Sequence, residues 1–305
     1  MNEVEHSSVH EPVLGTRLAL TVTASTRSVA HRAEVAALAE CDRLEATLSV
    51  FRPDSAWVRW KTGVLEETSP DVAELLRVAH DWHRRSDGAF NPNIGRLRAR
   101  WQQAAEDGVP PSREELAELA RASEHLPYRV ETDGSITRTD ECAFLDLHAL
   151  AKGWVADRAA AAVMAVEGVA AAVVNLGGDL VHAGTNAVTV GVEDPRRPFD
   201  NAPPLARARL ARAGLATGSG ARRPIAVGTR AYSHVLDPRT GWPATDVLSA
   251  TAIGRTAAEA DALATIAGVL SPARSLVLID QVPGAAVLLL DHSGLEWVSG
   301  GWPAC

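Results

Sequence analysis

The stretch AAAVVNLGGDLVHA, residues 170–183, carries the pattern that decides the fold. Its apolar run at 170–174 is typical of a buried strand, and the pair Gly177-Gly178 permits a tight turn into a second strand at 181–183. The residues before it, 152–166, are predicted to form a helix. We therefore predict an α+β protein in which helices pack on a mixed sheet.

Turn, capping and periodicity signals outside this stretch predict the remaining elements. The predicted helices span residues 28–48, 71–85, 112–123 and 256–269. The predicted strands span residues 16–24, 128–130, 135–138, 188–192, 207–212, 231–236 and 248–253, and a hairpin follows around 291–294. Since no internal repeat or linker divides the chain, we predict a single domain over residues 13–300, which could comprise two closely joined subdomains. A flexible N-terminus is expected at residues 1–12.

The composition narrows the class of protein. The chain has 305 residues, 46% of them hydrophobic, which is enough for a sizeable core. Thirty Lys and Arg residues against 38 Asp and Glu residues give a net charge of -8, so we predict no nucleic-acid partner. The three scattered cysteines favour reduced thiols in a cytoplasm. The first residues lack a signal-peptide pattern, and no apolar run reaches the ~20 residues of a membrane helix. We expect a cytoplasmic protein without a membrane span.

A carboxylate and a hydroxyl share one face of the last predicted helix. The helix opens with Thr256 and Glu259 at capping-box spacing, which fixes its start. Asp261 and Thr265 are four residues apart and therefore point the same way. Hard oxygen ligands of this kind suit magnesium, particularly when a substrate phosphate completes the coordination. The alternative is an Asp that favours the helix dipole and a Thr that bonds to its own helix.

Two further segments could contact an anion or a flat ring. Lys152 stands at the predicted start of a helix, where free amides and an ammonium could bind phosphate. The turn at 175–179 has two glycines that would let a ligand approach the backbone closely. A solvated lysine and a plain hairpin turn are the alternatives.

A histidine next to a turn could transfer protons. The segment 233–241, SHVLDPRTG, contains His234, whose ordinary pKa suits proton transfer near neutral pH, and Asp237, which could orient it. The alternative is a structural histidine. The chain has no Gly-x-Ser-x-Gly elbow, P-loop, Rossmann fingerprint or metal-spaced His cluster, so common hydrolase and dehydrogenase functions are not indicated.

The order of these motifs resembles that of the FAD:protein FMN transferase (ApbE) family. The resemblance covers residues 13 to at least 270 and rests on the following segments: Leu14-Gly-Thr16, Leu48-Ser-Val-Phe-Arg-Pro-Asp-Ser55, Gly88-Ala-Phe-Asn-Pro92, Asp146-Leu-His-Ala-Leu-Ala-Lys-Gly153, Asn175-Leu-Gly-Gly-Asp179, Val192-Glu-Asp-Pro195, Ser233-His-Val-Leu-Asp-Pro-Arg-Thr-Gly241 and Glu259-Ala-Asp-Ala-Leu-Ala-Thr265. It implies a T-fold-like mixed sheet core with packed helices and an inserted helical segment. It also implies that FAD binds as a substrate, with Mg²⁺ at its pyrophosphate.

The resemblance assigns roles to individual residues. It implies that Asp261, Thr265 and the carbonyl of Ala151 bind Mg²⁺, and that His234, with Asp237, acts on the acceptor hydroxyl. The implied cofactor-binding residues are Asn175, Gly177, Gly178 and Asp179 at the isoalloxazine, Lys152 at the pyrophosphate, Asp157 on the adenine side, and Glu259. His148 and Ala149 depart from the family pattern, because they stand where the family usually has two glycines.

The function implied is transfer of FMN from FAD to a threonine or serine of a target flavoprotein, with release of AMP. The protein partner would be an acceptor with a Thr/Ser flavinylation motif. Such a reaction needs no nucleophile from the enzyme, because the acceptor hydroxyl attacks. The alternatives are a Mg²⁺-dependent FAD pyrophosphatase that yields FMN and AMP, and a non-catalytic FAD-binding protein. Asp261, Thr265 and His234 together disfavour the last, since a binding protein needs no such set.

Overall fold

A computed structural model describes residues 3–197, 199, 201–219 and 224–305. The strands are β1 (Val4–Val13), β2 (Thr16–Ala24), β3 (Tyr128–Val130), β4 (Ile136–Arg138), β5 (Val169–Leu176), β6 (Asp179–Gly184), β7 (Val188–Val192), β8 (Ala206–Leu210), β9 (Gly214–Ser219), β10 (Ile225–Val227), β11 (Arg230–Tyr232), β12 (Val247–Gly254), β13 (Ala286–Asp291) and β14 (Glu296–Val298). The helices are α1 (Arg27–Leu48), α2 (Ala56–Lys61), α3 (Pro70–Arg85), α4 (Gly95–Asp107), α5 (Arg113–Ser123), α6 (His148–Met164), α7 (Ala257–Val269) and α8 (Pro272–Ile279).

Eight strands form the main sheet, in the order β1-β2-β5-β6-β9-β12-β13-β14. The α+β class is confirmed, and within the described ranges each neighbouring pair in this sheet is antiparallel. β5 and β6 form the predicted hairpin, with Leu176 opposite Asp179. Gly177 and Gly178 have φ angles of 63° and 103°, which is the left-handed region that a two-residue hairpin turn requires. The paired glycines therefore set the register of the central hairpin.

Helices α6 and α7 pack against the sheet and against each other. Gly153 permits this contact, because a Cβ at that position would lie only 2.5 Å from the carbonyl oxygen of Ala257. α7 begins as predicted: the Thr256 hydroxyl accepts a hydrogen bond from the amide of Glu259 at 3.0 Å. The carboxylate of Glu259 accepts one from the amide of Arg255 at 2.7 Å. The starts of both central helices are thus held close together.

A helical segment lies between α1 and α6 and has its own apolar cluster. Trp101 of α4 is fully buried there, with its ring centroid 5.0 Å from that of Tyr232 and 5.5 Å from that of Trp242. Its indole nitrogen donates a hydrogen bond to the carbonyl of Gly241 at 2.9 Å. The segment 233–241 is therefore anchored at its end by α4.

The N-terminal segment differs from the expectation. Residues 4–13, of which 4–12 were expected to be flexible, form the edge strand β1, which pairs antiparallel with β2. Residues 1 and 2 lie outside the described residues. The domain boundaries at 13 and 300 stay a prediction. No helix in the described part of the chain is long and apolar enough to cross a membrane.

Candidate functional site

A cleft of about 500 Å³ brings together four of the residues singled out from the sequence. Lys152 comes from α6, Asp261 and Thr265 come from α7, and His234 comes from the segment anchored by Trp101. The one-turn spacing of Asp261 and Thr265 places both at the cleft, as the helical periodicity predicted.

Lys152 and Asp261 of the cleft form a charged cluster with Asp179, which lies next to Lys152. Lys152 pairs with Asp179 at the start of β6, and its Nζ lies 3.9 Å from Oδ2 of Asp261. The side chains of Asp179 and Asp261 are only 5% and 12% exposed, so little solvent screens them. Lys152 thus offsets only part of the negative charge.

Burial raises the pKa of both carboxyls. For Asp261 the neighbouring charge of Asp179 adds to the effect and holds the pKa well above its usual range, although Lys152 opposes the shift. For Asp179, Lys152 likewise counteracts the rise in pKa that burial causes. The ionised Asp261 is therefore destabilised unless further positive charge comes close.

The donor set fits a magnesium ion. Oδ2 of Asp261 is buried and accepts no hydrogen bond from any described residue, although an unsatisfied buried carboxylate oxygen is costly. Asp261 and Thr265 offer hard oxygen atoms, which Mg²⁺ prefers. Ala151, whose carbonyl was the third predicted ligand, lines a smaller cavity that meets the cleft at His148 and Lys152.

Asp237 takes a different partner from the predicted one. Among the described residues its carboxylate pairs with Arg239 and not with His234: Oδ1 accepts from Nε at 2.8 Å and Oδ2 from Nη2 at 2.8 Å. Oδ1 also accepts from the amide of Arg239 at 3.0 Å, which closes the turn. Asp237 therefore shapes the loop that presents His234, and its role in orienting the imidazole stays a prediction.

Several predicted cofactor-binding residues have structural partners. Asn175 accepts a hydrogen bond from the amide of Gly178 at 2.9 Å and so stabilises the turn. The carboxylate of Asp157 accepts from the amides of Ala257 and Ala258 at 2.7 and 3.0 Å, at the start of α7. Asn175, Gly177, Gly178, Asp157 and Glu259 are not among the described residues that line the cleft, and their contact with FAD stays a prediction.

Burial of the Asp157 carboxyl has an electrostatic consequence. It raises the pKa to about 6, although the hydrogen bonds from α7 partly oppose the shift. Because Asp157 accepts hydrogen bonds from the amides of Ala257 and Ala258, it caps the N-terminus of α7 although it lies about 100 residues earlier in the chain.

The sequence reasoning did not assign Asp146 and His148 to the site, although both line the cleft. Asp146 accepts hydrogen bonds from the amide of His148, at 2.8 Å, and from its ring nitrogen Nδ1, and its second oxygen pairs with Arg98. Burial alone would raise the pKa of Asp146, but the contacts with His148 and Arg98 hold it at about 2. The Asp-x-His spacing, typical of an Asp that bonds to the backbone two residues on, is the signal that could have found this pair.

Known proteins share both the sequence pattern and the fold. The model of the ApbE family matches residues 14–289. A FAD:protein FMN transferase of Rhodobacter capsulatus is 28% identical over 273 residues, which are 81% of this chain and 52% of that protein. One of Treponema pallidum is 27% identical over 270 residues, 81% of this chain and 73% of that protein.

A solved structure agrees with these matches. The crystal structure of the ApbE protein from Thermotoga maritima superimposes with a TM-score of 0.79 at 25% identity, covering 98% of this chain and 97% of that one. The matched part of the chain thus spans about half the length of the Rhodobacter capsulatus protein and nearly the whole length of the Thermotoga maritima structure. The family match over residues 14–289 and the shared fold show that this chain belongs to the ApbE family.

Proposed function

We propose that the protein transfers FMN from FAD to a threonine or serine hydroxyl of an acceptor flavoprotein, with Mg²⁺ as the cofactor and AMP as the leaving group. The relatives named FAD:protein FMN transferase support the reaction class. The observation that carries the proposal for this chain is the buried Oδ2 of Asp261, which accepts no hydrogen bond from the described residues, in a cleft shared with Lys152, Thr265 and His234.

The residues of the cleft have distinct tasks in this proposal. Asp261 and Thr265, with the carbonyl of Ala151, would hold Mg²⁺. The metal would neutralise charge on the pyrophosphate as the phosphate–phosphate linkage breaks. Lys152 neutralises part of the carboxylate charge and would contact the same phosphates.

His234 is the general base in this proposal. Its imidazole accepts the proton of the acceptor hydroxyl while the hydroxyl oxygen bonds to the phosphorus of the FMN half. The bond from that phosphorus to the bridging oxygen breaks, and the electron pair leaves with AMP. Because the turn that follows His234 is fixed by the Asp237–Arg239 pair and by Trp101, the base is held on an anchored loop.

The pair Asp146–His148 favours hydrolysis as a second candidate. The ring of His148 is 56% exposed at the cleft and is held by a carboxylate, an arrangement that could activate water in place of an acceptor. The products would be FMN and AMP.

A cytoplasmic location stays a prediction from the sequence.

One incubation distinguishes the candidates. The purified chain would be mixed with FAD and Mg²⁺, with and without a flavoprotein fragment that contains a Thr/Ser acceptor motif, and analysed by mass spectrometry and AMP detection. Transfer predicts an FMN-sized mass gain on the acceptor and AMP release that depends on it. AMP and free FMN without acceptor modification would show hydrolysis, and unconsumed FAD would contradict both.

The residue assignments can be tested in the same assay. His234→Ala should slow transfer more than it weakens FAD binding, because the base acts only in the transition state. His292→Ala is the matched control, since His292 is exposed. Equal loss in both variants would argue against the role of His234.

A further inference from the structure

Edge strand β1 presents polar side chains on its inner face. Exposure alternates along the strand, and His6, Ser8 and His10 lie on the less exposed side while Glu5 and Val9 are exposed. An inner face normally holds apolar residues. Here the inner face holds His6 and His10, and both contact Glu34 of α1.

Three imidazoles converge on one carboxylate. Nε2 of His6 lies 2.9 Å from Oε2 of Glu34, and Nε2 of His10 lies 2.9 Å from Oε1. His31, one helical turn before Glu34, places Nδ1 3.2 Å from Oε2. The Glu34 side chain is 12% exposed, so these contacts form in a partly shielded place.

The charge balance of this cluster favours a divalent cation. One carboxylate can neutralise only one of the three imidazoles if they are protonated, and the rings of His6 and His31 lie only 4.7 Å apart. Neutral imidazole nitrogen and carboxylate oxygen are the usual ligands of Zn²⁺.

The spacing of the donor atoms is close to what a tetrahedral ion needs. The ligand atoms of His6, His31 and Glu34 all lie within 4.8 Å of one another. Bonds of about 2.0–2.2 Å in a tetrahedron place neighbouring ligand atoms roughly 3.4 Å apart. The distances of 2.9 and 3.2 Å to Glu34 already approach this value. The side chain of His31 is 60% exposed and can rotate towards a metal, while His6 and Glu34, which are 21% and 12% exposed, already lie 2.9 Å apart.

We propose that His6, His31 and Glu34, with His10 as a further donor, form a binding site for a transition-metal dication of the Zn²⁺ type. The bound metal fastens edge strand β1 to α1. None of these residues is among the described residues that line the cleft, so the site is separate from the proposed Mg²⁺ site.

Cobalt titration tests the site directly, because Co²⁺ replaces Zn²⁺ and its visible bands report tetrahedral nitrogen and oxygen ligands. The wild-type chain should bind one equivalent with such bands, and Zn²⁺ should abolish them. Glu34→Gln and His31→Ala should each weaken binding more than about tenfold, since even changes beyond the ligand shell cost about 10–100-fold. His292→Ala and Asp261→Asn are controls that should keep the bands.

A second readout guards against misfolded variants. Zn²⁺ should raise the Tm of the wild type but not of Glu34→Gln, because only a ligand that binds the folded state stabilises it. Circular dichroism would confirm that each variant is folded. The proposal is overturned if the wild type shows no tetrahedral Co²⁺ bands, if Glu34→Gln and His31→Ala keep them, or if only Asp261→Asn loses them.

Discussion

Replacing Gly153 by alanine should push apart the two helices that carry the cleft. An added Cβ would lie 2.5 Å from the carbonyl oxygen of Ala257, 2.6 Å from its carbonyl carbon and 2.8 Å from the nitrogen of Ala258. Ordinary contacts begin near 3.4 Å, so α6 and α7 must separate by roughly 1 Å. The start of α7 cannot move away easily, because the carboxylate of Asp157 accepts hydrogen bonds from the amides of Ala257 and Ala258.

The expected loss of stability is a difference of two terms. Alanine is favoured over glycine inside a helix by about 1 kcal/mol. Overpacking a well-packed contact costs typically about 1–3 kcal/mol, and because the obstacle here is backbone, which cannot rotate away, we expect the upper part of this range, about 2–3 kcal/mol. We expect a net loss of about 1–2 kcal/mol. Since Lys152 precedes the substituted residue, the separation also moves its ammonium relative to Asp261, so transfer activity should fall at least tenfold.

Urea denaturation and the transfer assay measure both effects. Gly300→Ala is the matched control, because a Cβ there meets no atom within 4 Å, and its stability should stay within about 0.5 kcal/mol of the wild type. A shift in the denaturation midpoint without a change in slope would report stability alone. A Gly153→Ala protein as stable and active as the wild type would refute the proposed contact between the helices.

Three further changes test other parts of the structure. Trp101→Phe removes the hydrogen bond to Gly241, so we expect a loss of about 1–2 kcal/mol and a lower kcat with nearly unchanged FAD affinity; full activity would contradict the anchoring of the loop. Asp146→Asn should cost about 2 kcal/mol at pH 7, because the folded pKa of about 2 lies below the ordinary value of 3.8. That contribution is present above pH 3.8 and disappears as the pH falls towards 2, so wild type and variant should converge in acid unfolding curves; a constant difference would refute it. Lys152→Met leaves Asp179 and Asp261 without their shared ammonium, so the variant should lose about 3 kcal/mol and regain part of it with Mg²⁺; denaturation that is insensitive to Mg²⁺ would count against a metal at this place.

Local signals in the sequence predicted the elements that have local causes. The caps at Ser69, Ser112 and Thr256 mark where α3, α5 and α7 begin, and the paired glycines mark the central hairpin. α4 was not predicted, because Ile94 provides no side-chain cap to mark its start. β1 was missed because its inner face has His and Ser where the strand pattern requires apolar residues.

The site was predictable where residues share an element and not where they pair across the fold. Asp261 and Thr265 follow from helical periodicity. The contact between Lys152 and Asp179 spans 27 residues, and that between Asp157 and Ala257 spans 100. Neither pairing leaves a signal in a single sequence, so the partners that Asp157 and Asp179 have within the protein could not be predicted, and their contact with FAD stays a prediction.

If Asp261 binds the magnesium ion used in flavin transfer, its replacement should remove the Mg²⁺-dependent release of AMP from FAD in the presence of an acceptor. The rate would be measured across a Mg²⁺ titration for the wild type, for Asp261→Asn and for the exposed control Asp280→Asn. We expect wild type and control to respond equally to Mg²⁺, and Asp261→Asn to lose at least about 100-fold in rate. Full Mg²⁺-dependent turnover by Asp261→Asn would show that Asp261 is not a ligand of the catalytic magnesium ion.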